Sequence, residues 1–178
     1  MSMSMSNGGN GPGPVQPPNQ GAGAAPGQQV DTPQFSVLAQ YIKDFSFENP
    51  NAPRSLSPTQ QPMATLRVDV SVNPMSATDF EVELKLEGKT EVTGTLMFGF
   101  DLVFAGLFRI LNIPQESMGP LLMIECPRLL FPFAREVVAS AVRSGGFPQF
   151  LIEPIDFVAL YQQKMGQTQS PQPAPPTP

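Results

Sequence analysis

Phe80-Glu81-Val82-Glu83-Leu84-Lys85-Leu86-Glu87 alternates apolar and charged residues without a break. A period of two puts Phe80, Val82, Leu84 and Leu86 on one side of an extended chain and the charges on the other. Such a strand is half in a core and half in water. Upstream, Thr65 to Ser71 follows the same rule, with Leu66, Val68, Val70 and Val72 opposite Thr65, Arg67, Asp69 and Ser71. Downstream, Glu91 to Phe108 sets Val92, Leu96, Phe98, Phe100, Leu102 and Phe104 against Thr93, Thr95, Gly99 and Asp101. Phe35 to Phe47 supplies one more strand, with Phe35, Val37, Tyr41, Phe45 and Phe47 on one face and Asp44, Ser46 and Glu48 on the other. Asn49 to Pro53 stops it, Arg54 to Pro62 reads as a loop crossing to the next strand, and Glu87-Gly88-Lys89 is the expected turn. Short connections and alternation together predict a four-stranded antiparallel sheet with one wet face.

After the strands the period changes. Pro114 to Glu125 and Arg128 to Ser144 read as helices, separated or kinked at Cys126-Pro127, and Gly145-Gly146 ends the second. Pro154 to Met165 reads as a shorter third helix with Pro154 near its first turn. The predicted class is α+β, with the C-terminal helices packed on one face of the sheet. In the second helix Leu129, Leu130, Phe131, Phe133, Ala134, Val137, Val138, Ala141 and Val142 cover more than the stripe one sheet can bury. A second copy of the chain is the simplest cover, so a homo-oligomer with helices sandwiched between sheets is expected.

The ends differ in composition. Of the 22 Pro and 15 Gly, 10 and 8 lie in Met1 to Val30 and Gly166 to Pro178, and neither stretch carries a charged side chain. The organisation expected is a disordered extension over 1–32, one domain over 33–165 and a flexible tail over 166–178. Near Met1 there is neither a basic residue nor an apolar run of the kind a targeting signal needs, and no stretch is long enough to insert in a membrane, so a cytoplasmic protein is expected.

Composition also narrows the chemistry. His is absent and Cys126 is the single cysteine, which removes the commonest general base, most transition-metal sites and any internal disulfide. A net charge of -5 disfavours nucleic acid and suits a basic partner. Gly88-Lys89-Thr90 looks like the end of a phosphate loop, but the pattern needs Gly at position 83, which is Glu. Asp79, Glu81, Glu83 and Glu87 could suggest a metal site or a glycosidase pair; their alternation with apolar residues makes them a solvated strand face. Cys126, with no imidazole to deprotonate it, reads as a small buried apolar residue. No convergent titratable set is found, so the chain reads as no enzyme and without cofactors. Asp44, Glu48 and Asp101 lie on the polar faces of the first and fourth strands and could form one acidic patch if those strands are neighbours.

Lys43-Asp44-Phe45-Ser46-Phe47-Glu48-Asn49-Pro50-Asn51-Ala52-Pro53 resembles the first-strand signature of the SecB family of bacterial protein-export chaperones. Cys126-Pro127-Arg128-Leu129-Leu130-Phe131-Pro132-Phe133-Ala134-Arg135-Glu136 resembles the family's helix motif. Gly146-Phe147-Pro148-Gln149 with Pro154-Ile155-Asp156-Phe157 is similar to its C-terminal stretch, and Ala105-Gly106-Leu107-Phe108 to the end of its fourth strand. The resemblance implies a dimer of dimers that binds unfolded preproteins and delivers them to SecA, the motor of the Sec translocase. It implies that an acidic sheet surface docks SecA, at positions corresponding to Asp44, Glu48 and Asp101. The extension is longer than usual for the family, and Gly99 stands where a larger apolar residue often occurs.

The expected client site is an elongated apolar groove where the face carrying Leu66, Val68 and Val70 meets the Arg54 to Pro62 crossover and the helices. Unfolded chains expose apolar residues at irregular spacing, so such a groove must be long, tolerant and rimmed by polar groups. Holding the unfolded form needs no ATP, since mass action suffices. Two alternatives stand beside export: a SecB-like chaperone of a toxin–antitoxin system, and a carrier of small apolar ligands.

Overall fold

The computed structural model describes residues 32–148 and 150–168; the expected extension over 1–32 lies almost wholly outside them, and so does most of the expected tail. Four strands, β1 (Gln34–Glu48), β2 (Met63–Pro74), β3 (Asp79–Val92) and β4 (Thr95–Leu111), form one antiparallel sheet in the order β1-β4-β3-β2. Alternation thus led to the correct sheet, and β1 with β2 are its edges. The segment between them, containing a single 3-10 turn at Arg54–Leu56, passes around the end of the sheet.

Gly88-Lys89 is not the turn. Both stay in β3, paired with Leu66 and Thr65 of β2, and the chain reverses at Thr93-Gly94, with φ of 49° and 78°. Two consecutive positive φ values make the two-residue hairpin that matches strand twist. Gly88 serves a different need: the Phe100 ring lies against it where any side chain would collide.

Bulges correct the expected faces. Leu38 and Lys43 are extra residues in β1, because the register against β4 shifts between Val37 and Ala39 and between Ile42 and Asp44. An inserted residue reverses the alternation beyond it. Tyr41 therefore joins the polar face, where its hydroxyl donates to Glu81, while Ile42 lies on the helix side of the sheet, exposed beside Phe45, Phe104 and Phe133. A third shift at Met97 turns Leu96 away from Phe98 and toward Gly99.

The expected break at Cys126-Pro127 does not occur. Helix α1 (Gln115–Pro120) runs through one wide π turn, Leu121–Glu125, directly into α2 (Cys126–Ser144). Pro127 has no N–H to return to the carbonyl of Met123, and the wide turn just before it takes up that mismatch while the helix continues. Gly146, at φ 87°, ends α2 as expected. Helix α3 (Phe157–Thr168) begins after Pro154, because Asp156 accepts the Ala159 N–H at 3.0 Å and so caps it, and it runs past Met165.

Leu130, Ala134, Val138 and Val142 of α2 are fully buried against Val82, Leu84, Leu86, Leu102 and Phe108. Close approach depends on Gly106, where a Cβ would come within 2.7 Å of Leu130.

Candidate functional site

The polar face of the sheet assembles the acidic residues. β1 and β4 are neighbours, and Ser46 pairs with Asp101, flanked by Asp44 opposite Val103 and Glu48 opposite Gly99. The three carboxylates therefore share one face, with Asp44 and Glu48 each two rungs from Asp101. Lys85 of β3 pairs with Asp101 at 3.0 Å, so Asp101 carries its own counter-charge. Lys43, the bulge residue next to Asp44, is drawn away: its ammonium bonds Glu81 at 2.8 Å and Glu83 at 2.5 Å on β3. It reaches over β4 because Ala105, the residue between, is small. Asn73 adds bonds to Glu81 and Glu83 from β2. The Lys43 bond, followed by that from Tyr41, holds the Glu81 carboxyl down at about 2.

Asp79 has a structural role. Asp79 makes a two-pronged ion pair with Arg109, both bonds 2.8 Å, which lowers the Asp79 carboxyl below its ordinary range. Among the described residues no group of three or more His, Cys, Asp or Glu could hold a metal. Gly88-Lys89-Thr90 is extended strand with Lys89 paired to Glu91, not a phosphate loop. Burial pushes the Cys126 thiol up to about 12, which leaves it unreactive. No helix among the described residues is long and apolar enough to cross a membrane.

The apolar side differs from expectation in detail. Val70 is 1 % exposed and belongs to the closed core, with Lys164 of α3 bonded to its carbonyl and to Asp69. Leu66 and Val68 remain half-buried. Leu66 flanks Gly88, and across Gly88 lies the Phe100 ring, the start of an aromatic cluster the strand pattern did not single out. Phe98 stacks on Phe47 at 6.0 Å and meets Phe147 at 4.7 Å, while Phe150 touches Phe98 at 5.8 Å and Phe100 at 5.9 Å. These rings come from β1, β4 and the segment after α2. Beside them the crossover is pinned, with Asn51 donating to the Leu96 carbonyl and Ser55 to Asn49. A cavity between crossover and hairpin is lined by Arg54, Pro58, Val92 and Met97 among others. The spacing of Phe98 and Phe100 on one face was the available signal; the arrival of Phe147 and Phe150 was not readable locally.

A third surface is the outer side of α2, where Leu129 and Phe133 are 42 % and 53 % exposed. Phe133 stacks on Phe104, and with Ile42, Phe45, Val137 and Ala141 it walls an open apolar hollow.

A one-sided α+β sandwich with a charged sheet face, an aromatic cluster beside the crossover and an uncovered helix face belongs to the class of proteins that work by presenting surfaces to other chains. The chain is a member of the SecB family: residues 28–168 match the family model described as preprotein translocase subunit SecB. The protein-export protein SecB of Nitrobacter winogradskyi is 59 % identical over 141 residues, covering 79 % of this chain and 89 % of that one. The protein of the same name from Xanthobacter autotrophicus is 58 % identical over 140 residues, covering 78 % and 90 %. Among solved structures, a SecB-like chaperone of Mycobacterium tuberculosis, in complex with a ChAD peptide from an antitoxin, superposes with a TM-score of 0.59. It is 17 % identical, over 68 % of this chain and 91 % of that one, and so speaks for the fold alone. The family role is that of a protein-export chaperone.

Proposed function

We propose that the chain is an ATP-independent holdase that keeps unfolded preproteins competent for export in the cytoplasm and hands them to SecA. The observation that carries this reading is the pair of surfaces on opposite sides of one sheet. We read the flank where Leu66, Val68 and Phe150 are half-buried beside the buried rings of Phe98 and Phe100 as an aromatic client cleft; it suits side chains of many shapes, since rings and aliphatics give area without directional demands. The opposite face, with Asp44, Glu48 and Asp101, suits a cationic partner. Client and motor can therefore be bound at once. Exposed Leu129 and Phe133 support assembly through α2 into a tetramer, a dimer of dimers with helices between sheets. Repeated clefts on such a particle raise the effective concentration for a long client.

The test is the refolding rate of a denatured secretory precursor with and without the protein, without nucleotide, together with the particle mass. Slowed refolding by a tetramer is expected; an unchanged rate refutes the holdase reading. The toxin–antitoxin reading has less behind it: the two relatives named for export are 58–59 % identical, whereas the structure with the antitoxin peptide is 17 % identical and speaks for the fold alone.

A further inference from the structure

Thr90 lies in the middle of β3, paired with Ala64 of β2 and Phe98 of β4, on the same face as Gly88. It is 5 % exposed, and its hydroxyl has no hydrogen-bond partner among the described residues. Valine has the same shape and would avoid an unpaired buried hydroxyl, so an orphan at this position calls for an explanation. Its surroundings supply one. Phe150 touches the rings of Phe98 and Phe100, the residues paired with Thr90 and Gly88, so it stands over this stretch of sheet. Phe150 is only half-buried, and the next residue, Leu151, is 74 % exposed. On the β2 side the neighbour is Ala64, small and itself exposed, so the cover over the buried hydroxyl is thin there. Val92, next along the same face, already lines the cavity beneath the crossover.

We propose that Thr90 is a client-binding residue: its hydroxyl donates to a backbone carbonyl of an extended client segment that enters beside Phe150. The inference rests on reading the aromatic cleft as the client site. A carbonyl recurs at every residue of any polypeptide, so the contact is blind to sequence, as a holdase requires. Hydrocarbon offers no such acceptor. Thr90 therefore separates polypeptide from other apolar matter, which a purely aromatic cleft cannot do.

The test uses the full chain with Thr90→Val and Thr90→Ser, a fluorescently labelled, unfolded secretory precursor, and the hydrocarbon dye diphenylhexatriene, which has no hydrogen-bond acceptor. Thr90→Val should melt at or above the parent temperature, bind the precursor about three- to tenfold more weakly, and bind the dye unchanged. Thr90→Ser should bind both as the parent does. Precursor binding at parental strength by Thr90→Val overturns the proposal, as does an equal loss for dye and precursor. Leu66→Glu separates this from failure of the cleft reading: if that variant still binds precursor fully, the cleft itself is not the client site.

Discussion

Replacing Gly106 with Ala tests how the two layers meet. A Cβ at this position would stand 2.7 Å from Leu130 Cδ2 and 2.7 Å from the Phe108 ring, against roughly 3.5–4.0 Å for carbons in contact. Both neighbours are fully buried. Neither can swing into solvent, so about 1 Å must come from lifting α2 off β4 in an interior already packed. Overpacking of this kind costs about 1–3 kcal/mol. At ~2–4 °C per kcal/mol for a chain of this length, Gly106→Ala should melt about 2–12 °C lower. Gly99→Ala is the matched control, on the same strand but the opposite face, where the nearest atoms stand at 3.6 and 4.0 Å in ordinary contact. Thermal and urea unfolding followed by circular dichroism, at one protein concentration so that any self-association is held constant, measures both. Gly106→Ala matching the parent, or Gly99→Ala losing as much, refutes the packing argument.

Substituting Ala for Asp44, Glu48 and Asp101 together should weaken SecA docking at least tenfold while precursor binding is unchanged; equal loss of both would end the division between faces, and the docking should fade with salt. Lys85→Met, which frees Asp101, should tighten docking about two- to fivefold in a surface titration, with Lys89→Met as the control of equal charge change. Because the Glu81 carboxyl lies at about 2 in the fold against 4.5 ordinarily, its stabilisation is complete above about pH 4.5 and is lost as pH falls toward 2. Glu81→Gln should flatten that acid limb of the stability profile; an unchanged limb contradicts the Lys43–Glu81 account. Phe133→Asp should reduce the particle mass seen by light scattering, and an intact tetramer would move the interface elsewhere.

How far the chain could be read from its letters depends on the range of the forces involved. Alternation revealed all four strands because each strand carries its own burial pattern, and Asp44, Glu48 and Asp101 were legible as members of one polar face. The errors are long-range. Gly88-Lys89 resembles a turn in isolation, and only Phe100, folded back from the next strand, explains why a glycine sits in mid-strand. Tyr41 was assigned to the wrong face because nothing local announces that Leu38 and Lys43 are bulged. Val70 shares its strand face with half-buried Leu66 and Val68 but is 1 % exposed, a difference in burial that no local pattern announces. Phe147 and Phe150 join Phe98 only once α2 has ended, so the aromatic cleft is a product of topology rather than of any segment.

Ala105 and Gly106 stand side by side on β4 and face opposite ways. One lets Lys43 span to Glu81 and Glu83; the other lets Leu130 settle onto the strand. As a target for random substitution, this rung is a narrow waist shared by two surfaces that never meet. Enlarging either residue is rejected by assembly of the fold before client or motor has any say. A saturation scan should therefore read the pair as intolerant, and drifting descendants can repaint both faces while carrying the same two small residues between them.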